Sequence, residues 1–416
     1  MAAQPPVIVV PGITATSLED AYPIVPEEIW SAVIHKEYER IALHPDDVRY
    51  EAIEPARVQP RALFGIVYED LLLALRHDLS KKTDRPTPVF AFPYDWRQNC
   101  ARSADQLGHF IDEVLARTRL VPHYKGETVD RVDLVGHSMG GIIIADYLAR
   151  SGKATKVRRV ATLGTPFRGA VDAILKLTTG MGTLTGENPR DRERETARMT
   201  PALYQLLPTF EGAVLPEAGL SGDVFKISTW QPSILRTLAE YAKLIQAETD
   251  AETIFKRHLK GAKDLRDRTE ALSLAGKLPE GKDGWLAVVG LDAPTQVEIK
   301  IERWKGEPWF AMGDSRNDFP NSAKTGDGTV PFLGACPGFL ERERLVGVTP
   351  DDFSFWELKD KAVAKLSGFH GVLPTVNLVQ RIVLRHLRDD YSGDVWGRRV
   401  PGVVAPQWPS WLSLKK

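Results

Sequence analysis

The strongest chemical signal in the chain is Gly136-His137-Ser138-Met139-Gly140. A serine with a glycine two positions to either side fits a sharp strand-to-helix turn that pushes its hydroxyl out at the tip of a sheet. The glycines are steric requirements, since side chains at 136 and 140 would collide with the neighbouring strand and helix. A hydroxyl is too weakly acidic to attack an ester unaided, so Ser138 needs a general base and a carboxylate to orient that base. The Met139 amide, directly after the serine at a helix start, points to where a tetrahedral oxyanion would form, and the helix dipole adds positive potential there. A second donor is required from the loop after an early strand. Pro11-Gly12-Ile13-Thr14 is placed for it, with the Ile13 amide the better candidate.

In a turn of this kind the acid and the histidine follow the serine in that order. Only His258, His370 and His386 lie downstream of Ser138. His258 stands among Lys256, Arg257 and Lys260 and reads as part of a solvated helix face. His386, near the end of the last helix, reads as a partner of the helix dipole. His370, in Gly368-Phe369-His370-Gly371 on a loop, has the room to reach Ser138 and is the candidate base. Asp327, in Gly326-Asp327-Gly328-Thr329-Val330-Pro331, is the candidate acid, because glycines on both sides let its loop turn inward. Asp292 is the alternative, and a plain Asp-Gly turn at 327–328 is the competing reading.

These residues need a scaffold, and the hydrophobic pattern supplies one. Val7-Ile8-Val9-Val10 before Pro11-Gly12 reads as a fully buried strand. Similar strands fall at 88–92, 129–135 and 157–163, the one at 129–135 running straight into the serine turn. Helices are expected after the second strand, with Ser103 and Gln106 as a capping box, and at 142–150. This alternation predicts βαβ units and a mainly parallel sheet flanked by helices, an α/β fold. From 170 to 284 the alternation fails. A small-residue stretch at 177–186, a charged run at 190–198 and two amphipathic helices, one carrying Ile234, Leu238, Tyr241 and Ile245 and one at 251–274, predict a helical insertion. Strand-like sequence resumes at 285–290 and at 295–304, where Val297, Ile299 and Ile301 alternate with charged neighbours, and the end is helical at 375–387. The expected division is a core at 1–169, an insertion at 170–284 and the rest of the core at 285–416.

Composition narrows the partners. The 54 Lys+Arg against 55 Asp+Glu give a net charge of -1, so no overall field attracts nucleic acid or an anionic membrane. Cys100 and Cys336 have no C-x-x-C pairing and no histidine at ligand spacing, which argues against structural zinc and a disulfide scaffold. The chemistry outlined above calls for no metal and no organic cofactor. The first ten residues carry no basic segment and only a four-residue apolar run, so a soluble, cytoplasmic protein is expected. The two amphipathic helices are expected to be buried within the molecule, with transient contact with a lipid surface the alternative.

Taken together, Val9-Val10-Pro11-Gly12 leading to Ser17-Leu18-Glu19, Phe92-Pro93-Tyr94-Asp95-Trp96-Arg97, the serine motif with Gly141, Gly164-Thr165-Pro166-Phe167, Gly326 to Pro331 and His370 occur in an order that resembles the lecithin:cholesterol acyltransferase branch of the α/β-hydrolases. That branch includes phospholipid:diacylglycerol acyltransferases and lysosomal phospholipase A2. The resemblance implies Ser138 as nucleophile, Asp327 and His370 as its partners, Ile13 and Met139 amides as the oxyanion hole, and the insertion as a lid or cap over an acyl pocket. The expected function is therefore a serine hydrolase that cleaves carboxylic esters of lipase, phospholipase or esterase type through an acyl-enzyme, which water or an alcohol then discharges. A non-catalytic binding module on the same fold is the alternative from another class.

Overall fold

Val7–Val10 (β1) consists of four β-branched residues, all fully buried. Its side chains alternate between two separate cores, Ile8 and Val10 in one, Val7 and Val9 in the other. A strand apolar on both faces suits a parallel sheet covered by helices on both sides. In the computed structural model, which describes residues 3–31, 35–53, 56–152, 155–180, 191–311, 325–353, 368–390, 397–403 and 414–415, β1 lies between Val89–Ala91 (β2) and Val132–His137 (β3) and is parallel to both. Beyond β3 follow Val157–Leu163 (β4), Trp285–Gly290 (β5) and Leu345–Val348 (β6), all parallel. Gly397–Arg398 (β7) is antiparallel to β6, and Leu414–Lys415 (β8) completes that edge, giving the order β8-β7-β6-β5-β4-β3-β1-β2.

The longer helices, in chain order, are Gly65–Asp78 (α1), Cys100–Arg119 (α2), Met139–Arg150 (α3), Val171–Thr179 (α4), Asp191–Met199 (α5), Pro232–Leu244 (α6), Ala251–Glu270 (α7) and Asn377–Arg388 (α8). On one face of the sheet, Leu107, Ile111 and Val114 of α2 and Ile142, Ile143 and Leu148 of α3 pack with Ile8 and Val10. On the other, Tyr68, Leu71 and Leu75 of α1 and Val379, Ile382 and Val383 of α8 pack with Val7 and Val9. Each fully buried Val, Leu or Ile contributes about 1.5–3 kcal/mol relative to exposure, so these two layers fix the strand ends that carry the site.

The start of α2 differs from the capping box expected at Ser103 and Gln106. Asn99 is the N-cap, its side chain accepting from the Ala101 amide, while Ser103 is buried in the first turn with Cys100 and Ala104. Asparagine caps as well as serine does, and starting at Cys100 lets the apolar face begin one turn earlier.

The helices of segment 170–284 keep their apolar faces inside. Ile234, Leu238 and Tyr241 of α6 and Ile254, Phe255, Leu259, Ala262 and Leu265 of α7 are buried together in the core that also holds α2 and α3. Residues 181–190, which end the small-residue stretch and open the charged run, lie outside the described residues. Strand Ile299–Trp304 has the expected alternation, with Ile299 and Ile301 buried and Lys300 and Glu302 exposed. It does not join the main sheet but pairs with Val214–Pro216, from segment 170–284, and with Glu307–Ala311. A further antiparallel sheet, in which Thr16–Asp20 lies between Glu27–Ser31 and Val58–Leu63, follows directly on the loop after β1.

Candidate active site

The carboxyl ends of β1, β3 and β5 open on the same edge of the sheet, the usual location for a site in a parallel α/β sheet. Ser138 follows β3 and caps α3 with φ 53 and ψ -128, a conformation that is strained for a residue with a side chain. Its amide bonds the Leu163 carbonyl at 2.9 Å. The flanking glycines are needed for close approach. A Cβ at Gly136 would lie 2.8 Å from the Gly141 nitrogen, and one at Gly140 would lie 2.2 Å from the Val10 carbonyl oxygen.

Ser138, His370 and Asp327 come together from distant parts of the chain. His370 Nε2 is 2.9 Å from Ser138 Oγ, and His370 Nδ1 is 2.6 Å from Asp327 Oδ2. All three side chains are buried, at 6%, 4% and 1% exposure, so the contacts form in a low-dielectric setting where hydrogen bonds are strengthened. His370 occupies a short helical turn at 368–372 rather than a loop, and its amide bonds the Asp327 carbonyl at 2.8 Å.

The Asp327 turn stands at the end of β5 although it comes more than thirty residues later, because Ala293 bridges to both Gly326 and Asp327. Asp327 Oδ1 accepts from the amides of Thr329 at 3.1 Å and Val330 at 2.7 Å, which leaves Oδ2 for the imidazole. Asp292, the alternative acid, is exposed, and its amide donates to Thr325 Oγ1.

The loop 11–14 runs against the serine, and a Cβ at Gly12 would be 2.9 Å from Ser138 Cβ. Thr14 has φ 64, a strained value for a β-branched residue. Aromatic donors brace this loop: Tyr94 Oη donates to the Pro11 carbonyl at 2.9 Å, Trp30 Nε1 to that of Thr14 at 3.0 Å, and Trp96 Nε1 to that of Thr16 at 3.2 Å. Asp95 and Arg97, between and beside those aromatics, form a paired ion bridge that extends to Glu51. Met139 is fully buried as the first residue of α3.

The other two histidines differ from their expected settings. His258 is not on a solvated face: it is buried, its ring centred 4.9 Å from that of Tyr204, and burial pushes it down to about 3. His386 is buried too, with Nε2 3.1 Å from the Val160 carbonyl oxygen, and burial likewise lowers it to about 3. Both lie on the apolar stripes of their helices; for His258 packing against the core outweighs the charged neighbours that suggested exposure, and His386 is held neutral by burial instead of serving the helix dipole as a cation. Among the described residues no group of three or more His, Cys, Asp or Glu is arranged to hold a metal ion, and no helix is long and apolar enough to cross a membrane.

A mainly parallel sheet with helices on both faces and a serine at the strand-to-helix corner after β3 defines an α/β-hydrolase. Residues 77–284 match the family described as lecithin:cholesterol acyltransferase, and the chain belongs to that family. Its activity is accordingly of the ester-cleaving serine hydrolase or acyltransferase type. A chain of the Tle4-Tli4 complex is similar in fold at 14% identity and TM-score 0.57, over 94% of this chain and 99% of that one. The Bacillus licheniformis lipase BlEst2 in its mature form aligns at 13% identity and TM-score 0.39 over 92% of each chain. No curated protein sequence matches.

Proposed function

We propose that this protein is a serine esterase or lipase working through an acyl-enzyme, with Ser138 as nucleophile, His370 as base and Asp327 as its orienting carboxylate. The observation carrying this reading is the continuous chain from Ser138 Oγ through the imidazole to Asp327 Oδ2, at 2.9 and 2.6 Å. Asp327 accepts the Nδ1–H, so the Nε2 lone pair faces the hydroxyl. Ser138 Oγ attacks the ester carbonyl carbon while its proton passes to His370 Nε2. The tetrahedral oxyanion is stabilised by the amides of Met139 and Ile13. The bond to the alcohol oxygen then breaks, and that oxygen leaves with the proton from Nε2. Water, or an alcohol in the transfer reaction, attacks the acyl-enzyme, gives its proton to Nε2 and releases an acid or a new ester as Ser138 Oγ recovers a proton.

Family membership favours a lipid ester as substrate. Residues 170–284 act as a cap over a hydrolase core built from 1–169 and 285–416, with the strands at 299–311 joining the cap through their pairing with Val214–Pro216. The catalytic steps need no metal or organic cofactor.

Labelling with a fluorophosphonate probe tests this function. A covalent adduct mapped to Ser138, absent in Ser138→Ala, together with hydrolysis of esters of graded chain length, is the expected result. A folded protein that takes no label and releases no acid from any ester overturns the reading and leaves a binding module.

A further inference from the structure

Two side chains outside the reaction steps connect the parts that perform them. Tyr68 is fully buried on α1, and its Oη accepts the Gly12 amide N–H at 3.0 Å. The same oxygen is 2.7 Å from His137 Nδ1. His137 is the residue directly before the nucleophile, 5% exposed, and its Nε2 is 2.9 Å from the backbone carbonyl oxygen of His370.

The proton positions follow from the partners. The His370 carbonyl only accepts, so His137 Nε2 carries a hydrogen and donates it. A neutral imidazole protonated at Nε2 accepts at Nδ1, and Tyr68 Oη, already accepting from Gly12, donates its one proton there. The opposite tautomer would set two lone pairs face to face at Nε2. Burial, together with the nearby His370, pushes His137 down to about 3, and burial raises the Tyr68 hydroxyl, so both groups stay neutral across the ordinary pH range. Neutrality also suits the reaction: the ring centroids of His137 and His370 are 5.1 Å apart, and a charge on one would oppose an imidazolium on the other.

The resulting chain runs from Gly12 N–H to Tyr68 O–H to the His137 imidazole to the His370 carbonyl. One end is the residue before Ile13, and the other is the base's own backbone. We propose that Tyr68 and His137 are positioning residues, which hold the oxyanion loop and the His370 turn in register on either side of Ser138. This rests on the roles assigned above to Ser138, His370 and Ile13.

The test uses the full chain and a soluble p-nitrophenyl ester, with folding checked by near-ultraviolet circular dichroism. Tyr68→Phe keeps the ring and removes both bonds at Oη. It should lower kcat by about 10- to 100-fold with KM within about twofold, since loss of sub-ångström placement acts on the chemical step. At position 137, Gln retains a donor for the His370 carbonyl and an acceptor for Tyr68, whereas Leu retains neither. His137→Gln should keep most of the kcat that His137→Leu loses, a rescue that a purely space-filling role would not give. Wild-type kcat in Tyr68→Phe, or equal kcat in the two His137 variants, overturns the proposal. If Tyr68→Phe does not fold, the His137 pair decides alone. Turnover that persists in Ser138→Ala instead refutes the catalytic assignment on which the chain rests, so the two failures are distinct.

Discussion

Asp146 and Arg268 tie the helix behind the serine to α7. The Asp146 carboxylate, eight residues beyond Ser138 on α3, is fully buried, and its Oδ1 accepts from Arg268 Nε at 2.9 Å near the end of α7. Its second oxygen is 3.7 Å from the Arg150 guanidinium. The end of α7 is therefore anchored to the helix that follows Ser138.

Arg268→Ala leaves that buried carboxylate with its closest partner gone. The expected cost is about 1–3 kcal/mol, the range for a buried acceptor left unsatisfied. Urea unfolding measures it through the transition midpoint. An unchanged midpoint would show that Arg150 and solvent replace the lost bond, and that α7 is not held at this point.

Asp327 and Asp292 both stand near the end of β5, and only Asp327 touches the imidazole. Asp327→Asn should preserve the turn but weaken control of the His370 tautomer. By analogy with the corresponding change in serine proteases, kcat should fall by up to about 10⁴-fold. Asp292→Asn, at an exposed position with φ 60 that asparagine tolerates well, should leave kcat within about twofold. A larger loss in Asp292→Asn than in Asp327→Asn, read from initial rates on one ester, reverses the assignment.

The parts of this site that sequence reveals are those encoded locally. β1 and β5 are uninterrupted apolar runs, and the serine motif states its own geometry. Chain order then leaves few choices for the acid and the base. His258 and His386 show a helical-spacing signal that charged neighbours obscure at 258 and a place near the helix end obscures at 386: His258 stands four residues after Ile254 and three after Phe255, and His386 stands four after Ile382. Both spacings place the ring on the buried face. Tyr68 carries no comparable signal, because the partners of its hydroxyl depend on where α1 lands on the sheet. The pairing of Val214–Pro216 with Ile299–Ile301 is likewise non-local and involves only three residues on one side. The cap at Asn99 was masked by a better-known pattern four residues later.

Gly290 closes β5 directly behind Asp327. A Cβ there would lie 2.3 Å from Asp327 Cβ and 3.0 Å from its Cα. Neither atom is the free end of a flexible side chain, so the whole turn must shift. Gly290→Ala should lower kcat by about 10-fold or more through misplacement of Oδ2, with a smaller effect on KM. Steady-state kinetics on folded protein decides this, and retention of wild-type kcat would mean that the turn relocates without disturbing the imidazole.

Three buried histidines predict how stability responds to acid. Burial is the leading cause that lowers His137, His258 and His386 to about 3, with repulsion from the like charge of His370, Arg257 and Arg159 respectively adding to it. In the folded chain they stay neutral, whereas in the unfolded chain they take up protons below their ordinary value of 6.5. Protons then favour the unfolded state, so this contribution is intact above about pH 6.5 and is lost as pH falls toward 3. Each such histidine removes up to about 1.4 kcal/mol per pH unit within that window. Asp46, held at about 2 by bonds to Thr249 and Glu248, loses its contribution only below its ordinary 3.8, so carboxylates of this kind act at lower pH. Urea midpoints followed from about pH 7.5 to 4.5 should decline steadily, because the window opens at the unfolded imidazole value. His258→Leu should make the decline shallower, since it removes one of the three groups and also a buried Nε2 that has no hydrogen-bond partner among the described residues. A midpoint that stays flat over this range would mean that the three imidazoles take up protons without unfolding.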